Sequence, residues 1–166
     1  MRWVGRKLSY CLDLYDLDKT MKLVIEYVKN ASVKSWEKTN KIWEWLLVYV
    51  GVMKDDLEKP EIIDKVAKKL VNLRIISDEN WKINKSLKDI NWEILLISNF
   101  TLWWRNSKWN KLDFLHSANF DEAKEIFEKL VNELENHEVT VKTWFFGENM
   151  EINHTKVWPL TYFLEY

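Results

Sequence analysis

A cluster of polar residues at the end of an apolar run is the part of the sequence best suited to chemistry. Residues 93–98 read EILLIS and are predicted to form a buried strand, whose end continues as Ser98, Asn99, Phe100 and Thr101. Hydroxyl, amide and backbone N–H groups at a strand end can bind a carbonyl group or stabilise an oxyanion. These four residues are therefore the candidate catalytic residues.

The loop that follows is basic. It carries Arg105, Lys108 and Lys111, three cations that could bind the phosphates of a nucleic acid without reading its bases. The residues alone also fit a different interpretation, namely an ordinary strand end followed by a solvated loop.

Other reactive residue types show no pattern typical of a site. The three histidines, His116, His137 and His154, lack metal-ligand spacing, and Glu133 and Glu135 fit the solvated face of a helix. The chain has no glycine-rich phosphate loop and no nucleophile elbow. We therefore predict no metal site.

Composition limits the class of protein. The chain has 166 residues and a formal net charge of −1, which suits one domain without a global attraction to nucleic acid. The single cysteine, Cys11, indicates a reducing compartment, and no apolar run is long enough for a membrane span. We expect a cytoplasmic protein with an N-terminal extension over 1–20 and a single domain over 21–166, for which Met21 is a natural start.

Hydrophobic periodicity predicts an α/β fold of mixed sheets with helices covering one face. Residues 36–40 and 78–82 are predicted to form turns. Trp43 and Trp45 are predicted to form a bend that leads into a buried strand. Helices are predicted at 59–72 and 121–137, and strands at 21–28, 32–35, 42–53, 74–77, 93–98, 139–143, 150–155 and 160–164.

The counts of tryptophan and glycine are unusual. The chain has 11 tryptophans and only 3 glycines, whereas about 12 glycines are typical of a chain this long. Turns with positive φ favour glycine, so a fold with several hairpins needs another explanation for its turns.

Several blocks in order resemble the D-aminoacyl-tRNA deacylases, the D-Tyr-tRNA deacylase family. LLVYVGVMKDD resembles the family's LLVLLGVxxDD, and EILLISNFTL resembles the end of its GExLxVSQFTL block. SKWNKLDF resembles KGxRPxF, VKTWFFGENM resembles VxTGxFGAxM, and VWPLTYFL resembles DGPVTxxL. The resemblance runs from Met21 to the C-terminus.

The resemblance implies an enzyme that hydrolyses the ester between a D-amino acid and the 3′ end of tRNA. It also implies a compact, barrel-like homodimer with helices flanking one side, and no metal or organic cofactor. In the family, backbone N–H groups near Phe100 and Thr101 face the scissile carbonyl, and the terminal 2′-hydroxyl of the tRNA activates the attack. Ser98 and Asn99 would complete the catalytic strand end, and Arg105, Lys108 and Lys111 would bind tRNA.

Chirality is read in the family by a Gly-cis-Pro dipeptide that the partner subunit inserts into the pocket. Trp158 and Pro159 occupy these positions, Phe114 corresponds to a phenylalanine of the pocket wall, and Met150 belongs to a motif expected to bind substrate. Four residues depart from the family pattern and affect the strictness of D-selectivity: Tyr27 for Arg, Asn99 for Gln, Leu112 for Pro, and Lys156 for Asn.

Nine of the 11 tryptophans fall where the family carries glycine. They are Trp36, Trp43, Trp45, Trp81, Trp92, Trp104, Trp109, Trp144 and Trp158. We hypothesise that these are UGA codons of a lineage that reads UGA as glycine, translated under a code that reads tryptophan. The alternative is a genuinely tryptophan-rich paralogue.

Three other functions remain open on the sequence. One is an editing paralogue of relaxed specificity that clears glycine or mischarged L-amino acids from tRNA. Another is a non-catalytic RNA-binding module that stacks bases on exposed indoles. The last is an inactive structural paralogue.

Overall fold

The computed structural model describes residues 21–166, except 37, 55, 91–92, 107–110 and 145, and describes only the backbone at 40, 42, 44 and 45. The predicted extension over 1–20 with Cys11, the predicted tRNA-binding Lys108, and Trp92 and Trp109 lie outside the described residues.

Five strands form one mixed sheet that curls as a half-barrel, in the order β8-β5-β2-β1-β9. Its strands are β1 (Lys22–Ser35), β2 (Lys38–Gly51), β5 (Glu93–Ser98), β8 (Thr140–Thr143) and β9 (Glu151–Glu165). β1 pairs antiparallel with β2 and β9, whereas β5 lies parallel to both β2 and β8. The predicted mixed α/β fold is confirmed.

Two strands are longer than predicted. The predicted strands 21–28 and 32–35 form the single strand β1, and 150–155 and 160–164 form the single strand β9. The two strands pair along both halves, and their register shifts where Val28 pairs with Lys156 but Glu26 pairs with Thr161. Residues 157–160 therefore bulge out of the ladder, which explains why the sequence pattern predicted two strands with a break between them.

The bend predicted at Trp43 and Trp45 is wrong. Both residues lie inside β2, where they pair with Asn30 and Val28 of β1. The chain turns earlier, at Trp36, whose φ is +48°.

Two helices cover one face of the sheet. They are α1 (Glu61–Asn72) and α3 (Phe120–Asn136), close to the predicted helices 59–72 and 121–137, and their apolar residues form the main core with β1, β2 and β5. α3 begins with a capping box in which the side chain of Asn119 accepts from the N–H of Glu122. The opposite face carries a smaller apolar cluster that includes Val33, Leu47 and Trp144.

The remaining elements are short. α2 (Leu87–Ile90) was not predicted, because a four-residue helix shows no periodicity. Two small hairpins pair β3 (Ile76–Ser77) with β4 (Ile83–Lys85), and β6 (Arg105–Asn106) with β7 (Leu112–Asp113). The predicted 78–82 turn joins the first pair. No helix in the described part of the chain is long and apolar enough to cross a membrane.

Candidate active site

The candidate strand end is fixed against β2. β5 runs parallel to β2, and the N–H of Asn99 donates to the carbonyl of Val50 at 2.7 Å. A 3-10 turn over Phe100–Trp103 then packs on the end of β2. It can do so because Gly51 has no side chain, since a Cβ there would lie 2.8 Å from the Cβ of Leu102.

The side chain of Asn99 organises this turn. Its Oδ1 accepts from the backbone N–H of Thr101 at 3.1 Å and from the Thr101 hydroxyl at 2.6 Å. The Thr101 N–H is therefore already engaged, whereas the N–H of Phe100 has no hydrogen-bond partner among the described residues. Phe100 is thus the strand-end residue whose backbone donor is open to a ligand.

A pocket of about 510 Å³ opens at this strand end. It brings together five of the predicted site residues, Ser98, Asn99, Phe100, Phe114 and Met150. The rings of Phe100 and Phe114 meet edge to face with centroids 5.1 Å apart. Thr101 does not line this pocket, because its side chain turns back to Asn99.

The other pocket residues come from two segments that the prediction left without a role. One is the approach to α3 and its first turn, with Ser117, Ala118, Asn119, Phe120 and Ala123. The other is the loop after β8, with Phe146, Gly147, Glu148 and Asn149. Gly147 has φ +79°, and a Cβ there would lie 2.3 Å from Cε2 of Phe120. The Phe-Gly pair in the VKTWFFGENM block was the available signal for this wall.

The predicted tRNA-binding cations that the structure describes, Arg105 and Lys111, have different surroundings. The guanidinium of Arg105 pairs with Asp113, with Nε 3.1 Å from Oδ1, across the β6–β7 hairpin. Hydrogen bonding by Arg105 lowers the pKa of the Asp113 carboxyl, and the backbone N–H of Leu115 acts in the same direction, against desolvation. Arg105 therefore already has a carboxylate partner. Lys111 lies on the exposed surface.

Trp158 and Pro159, the predicted chiral filter, do not line this pocket. They lie in the 157–160 bulge of β9, their peptide bond is cis, and the Trp158 side chain is 81% exposed. The pocket residues and the predicted filter residues thus lie at separate places on the chain.

A cation bridges the two ends of this bulge. Nζ of Lys156 donates to Oε1 of Glu26 at 2.9 Å and to the hydroxyl of Thr161, and it lies 5.4 Å from the ring centroid of Trp158. His154 Nε2 lies 3.1 Å from the other oxygen of Glu26. Tyr27, where the family pattern has arginine, lies in β1 opposite the bulge in the strand register. The ammonium of Lys156 is a positive charge beside the same bulge.

The tryptophans at glycine-matched positions are unusually exposed. Six of the nine have described side chains, and all of these except Trp144 are exposed. Trp36 and Trp81 are each 88% exposed and both have positive φ, at +48° and +60°. By contrast, Trp103, which does not match a family glycine, is 2% exposed. Tryptophan is normally among the more buried residue types.

One group in the described part of the chain has the residue types of a metal site. Ligand atoms of Asp64, Glu133 and His137 lie within 4.8 Å of one another between α1 and α3. Lys68 donates to Asp64 at 2.8 Å, so an ordinary ion pair accounts for this carboxylate, and Nε2 of His137 lies 3.5 Å from Oε1 of Glu133. None of these residues lines the pocket.

The chain was compared with known proteins. Residues 24–165 match the family model described as D-Tyr-tRNA(Tyr) deacylase. A D-aminoacyl-tRNA deacylase of Thermosipho africanus is 42% identical over 87% of this chain and 97% of its own length, and one of Staphylococcus haemolyticus is 38% identical over 87% and 95%.

Solved structures agree on the fold. The structure titled c-Myc DNA Unwinding Element Binding Protein superposes with a TM-score of 0.78 at 29% identity, over 87% of this chain and 98% of its own. A probable eukaryotic D-amino acid tRNA deacylase superposes with a TM-score of 0.76 at 12% identity, over 89% and 100%. The chain therefore belongs to the D-Tyr-tRNA deacylase family, whose activity is hydrolysis of the ester bond of D-aminoacyl-tRNA.

Proposed function

We propose that this pocket binds the aminoacyl end of D-aminoacyl-tRNA, and that its strand end supports hydrolysis of the ester to free D-amino acid and tRNA. The observation that carries the proposal is the convergence of Ser98, Asn99, Phe100, Phe114 and Met150 on one pocket of about 510 Å³. Because the proposed substrate is a tRNA, we expect this activity in the cytoplasm.

The chemistry assigned to the protein is positioning and charge stabilisation. The N–H of Phe100 has no protein partner among the described residues and can donate to the developing oxyanion. Thr101 is not activated as a nucleophile here, because its hydroxyl donates at 2.6 Å to the amide oxygen of Asn99, which is too weak a base to take the proton. The Thr101 N–H also donates to Asn99, at 3.1 Å, so the Phe100 N–H is the proposed donor to the oxyanion. The attack on the ester is assisted by the 2′-hydroxyl of the terminal ribose, so no metal is required.

A homodimer completes the site in this proposal. Trp158 and Pro159 are exposed and line no part of the pocket of their own protomer, which fits insertion into the pocket of a second copy. Arg105, Lys108 and Lys111 would then contact the phosphates near the tRNA end.

The test is deacylation of D-Tyr-tRNA, L-Tyr-tRNA and Gly-tRNA by the full-length chain with glycine at the nine matched positions. We expect kcat/KM for D-Tyr-tRNA to exceed that for L-Tyr-tRNA by at least about 100-fold, equivalent to about 2.7 kcal/mol of selectivity. Comparable rates on the L-substrate or on Gly-tRNA would instead identify the relaxed editing enzyme. No hydrolysis of any ester would remove the enzymatic proposal.

A second candidate function has one observation in its favour. Five of the described glycine-matched tryptophans are exposed, and exposed indoles can stack on nucleobases. If tryptophan is native at these sites, a protein inactive on all three substrates should still bind single-stranded RNA, and titration with an oligonucleotide would reveal this.

The Lys156 bridge supports a more specific prediction. Lys156→Met removes the ammonium that joins Glu26 to Thr161 and so loosens the 157–160 bulge. We expect the D/L ratio of kcat/KM to fall about tenfold, or about 1.4 kcal/mol, mostly through faster hydrolysis of L-Tyr-tRNA.

Lys142→Met provides the matched control, because Lys142 also pairs with a glutamate across strands, Glu93 at 3.0 Å, but does not contact the bulge. Lys156→Arg should retain most of the selectivity. A Lys156→Met enzyme with unchanged D/L ratio would contradict the positioning role.

A further inference from the structure

The group between α1 and α3 combines one imidazole with two carboxylates. Glu133 lies in the last turn of α3, His137 caps the C-terminus of that helix, and Asp64 of α1 places its carboxylate beside them. One ligand atom from each residue lies within 4.8 Å of the other two. Two ligands four residues apart on one helix face can bind the same metal ion.

The imidazole of His137 lacks a hydrogen-bond partner at its covered nitrogen. Nε2 is shielded from solvent and has no partner among the described residues, and its 3.5 Å separation from Oε1 of Glu133 exceeds an ordinary hydrogen bond. A covered polar atom without a partner is costly. A metal ion bound to the lone pair of Nε2 would remove this cost.

The spacing of the ligand atoms suits Zn²⁺. Zinc binds histidine nitrogen and carboxylate oxygen at about 2.0–2.2 Å in tetrahedral geometry, which separates neighbouring ligand atoms by roughly 3.3–3.6 Å. The 3.5 Å between Nε2 of His137 and Oε1 of Glu133 falls in this range. The half-exposed carboxylate of Asp64 has to approach by only about 1 Å, since 4.8 Å is the largest separation in the group.

Two neighbouring side chains affect the carboxylates. Nδ2 of Asn136 donates to Oε2 of Glu133 at 3.3 Å and leaves Oε1 beside His137, an arrangement in which an outer amide orients a ligand. Lys68 donates to Asp64 at 2.8 Å and therefore competes with a metal ion for this carboxylate. Exposed ion pairs between residues i and i+4 are weak, so a divalent cation should displace the ammonium.

We propose that Asp64, Glu133 and His137 form a structural Zn²⁺ site that joins α1 to α3, with water as the fourth ligand. The nitrogen ligand favours zinc over Mg²⁺ and Ca²⁺, which prefer oxygen ligands. None of the three residues lines the pocket, so the ion would hold the two covering helices together and take no part in hydrolysis.

Titration of zinc chloride into the full-length chain with glycine at the nine matched positions tests the proposal. Calorimetry should show one ion bound at these three residues. In thermal unfolding, free zinc at ten times its Kd should favour the folded state about elevenfold, which raises Tm by roughly 3–6 °C. Magnesium chloride at the same concentration should leave Tm unchanged.

Substitution of the ligands should weaken zinc binding. Asp64→Asn, Glu133→Gln and His137→Ala each remove one ligand, and each should cost at least about 100-fold in affinity, the upper end of the loss typical of an outer-shell change. Lys68→Gln should instead tighten binding by about threefold, because its ammonium no longer competes for Asp64. A merely structural role of these residues would not make the Lys68 variant bind zinc more tightly.

Matched controls exist for both kinds of change. His154→Ala also removes an imidazole beside a glutamate, with Nε2 3.1 Å from Oε2 of Glu26, and Lys129→Gln also removes an ion pair between residues i and i+4, with Glu125. Both variants should retain full zinc affinity. Cys11→Ser should retain it too, which excludes the thiol as the zinc ligand.

Two results would overturn the site. One is the absence of zinc binding to the full-length chain. The other is binding that survives both Asp64→Asn and Glu133→Gln, or that is lost in Cys11→Ser or His154→Ala, because the ion would then lie elsewhere. The two amide variants keep the shape of the carboxylates, so circular dichroism should show them folded and their loss of affinity reports on the ligands.

Discussion

Replacing Trp158 by glycine should raise kcat/KM on D-Tyr-tRNA by about 100-fold, or about 2.7 kcal/mol of transition-state stabilisation. Trp158 is 81% exposed on its own protomer and lies on the bulge proposed to enter the pocket of a second copy. An indole introduced into a pocket of about 510 Å³ would take the space of the substrate amino group and side chain. Glycine leaves that space open.

Trp81→Gly is the control for this comparison. It also removes an exposed indole at a glycine-matched position, but on the turn between β3 and β4 rather than on the bulge. It should leave kcat/KM nearly unchanged. If the chain with Trp158 were as active as the glycine variant, the proposed place of this residue in the site would be wrong. Separately, UGG codons at the nine positions, or a native mass that includes tryptophan there, would remove the recoding hypothesis.

Glycine at positions 36 and 81 should stabilise the fold. Both residues have φ in the left-handed region, at +48° and +60°, where a Cβ costs roughly 1–2 kcal/mol, while glycine loses roughly 0.5–1 kcal/mol of chain entropy. The net gain is roughly 0.5–1 kcal/mol for each site. For a chain of this size, that raises Tm by roughly 1–4 °C per substitution, measured by thermal unfolding.

Two controls separate backbone strain from the loss of an exposed indole. Trp36→Ala removes the indole but retains a Cβ, so it should bring little of the gain. Trp43→Gly removes an exposed indole from inside β2, where φ is not positive, and should lower Tm because glycine weakens a strand. Equal gains from Trp36→Ala and Trp36→Gly would contradict the strain argument.

Local sequence patterns predicted the elements that are stabilised by residues close together in the chain. The apolar spacing of Ile62, Ile63, Val66 and Leu70 predicted α1, and the polar residues 78–82 predicted a turn that Asp78 stabilises by accepting from the N–H groups of Asn80 and Lys82. The family motifs then indicated which strand end would form a site.

Features that depend on distant partners could not be predicted in this way. β9 is continuous because β1 pairs with it on both sides of a bulge, and nothing within residues 150–164 indicates that pairing. Likewise, the hydrogen bond between Ser35 and Glu148 joins residues 113 positions apart, and Arg105 meets Asp113 only because a hairpin forms. These contacts between distant side chains could therefore be identified only from the structure.

The place of β9 in the sheet also has a consequence for synthesis on the ribosome. β1 is the first described strand, yet one of its two neighbours is β9, so half of its backbone groups wait for residues 151–165. At 5–20 residues per second, that delay is roughly 10 s. The residues that line the proposed pocket, up to Met150, are translated before Trp158 and Pro159, so the residues proposed for chiral selection are among the last to be made.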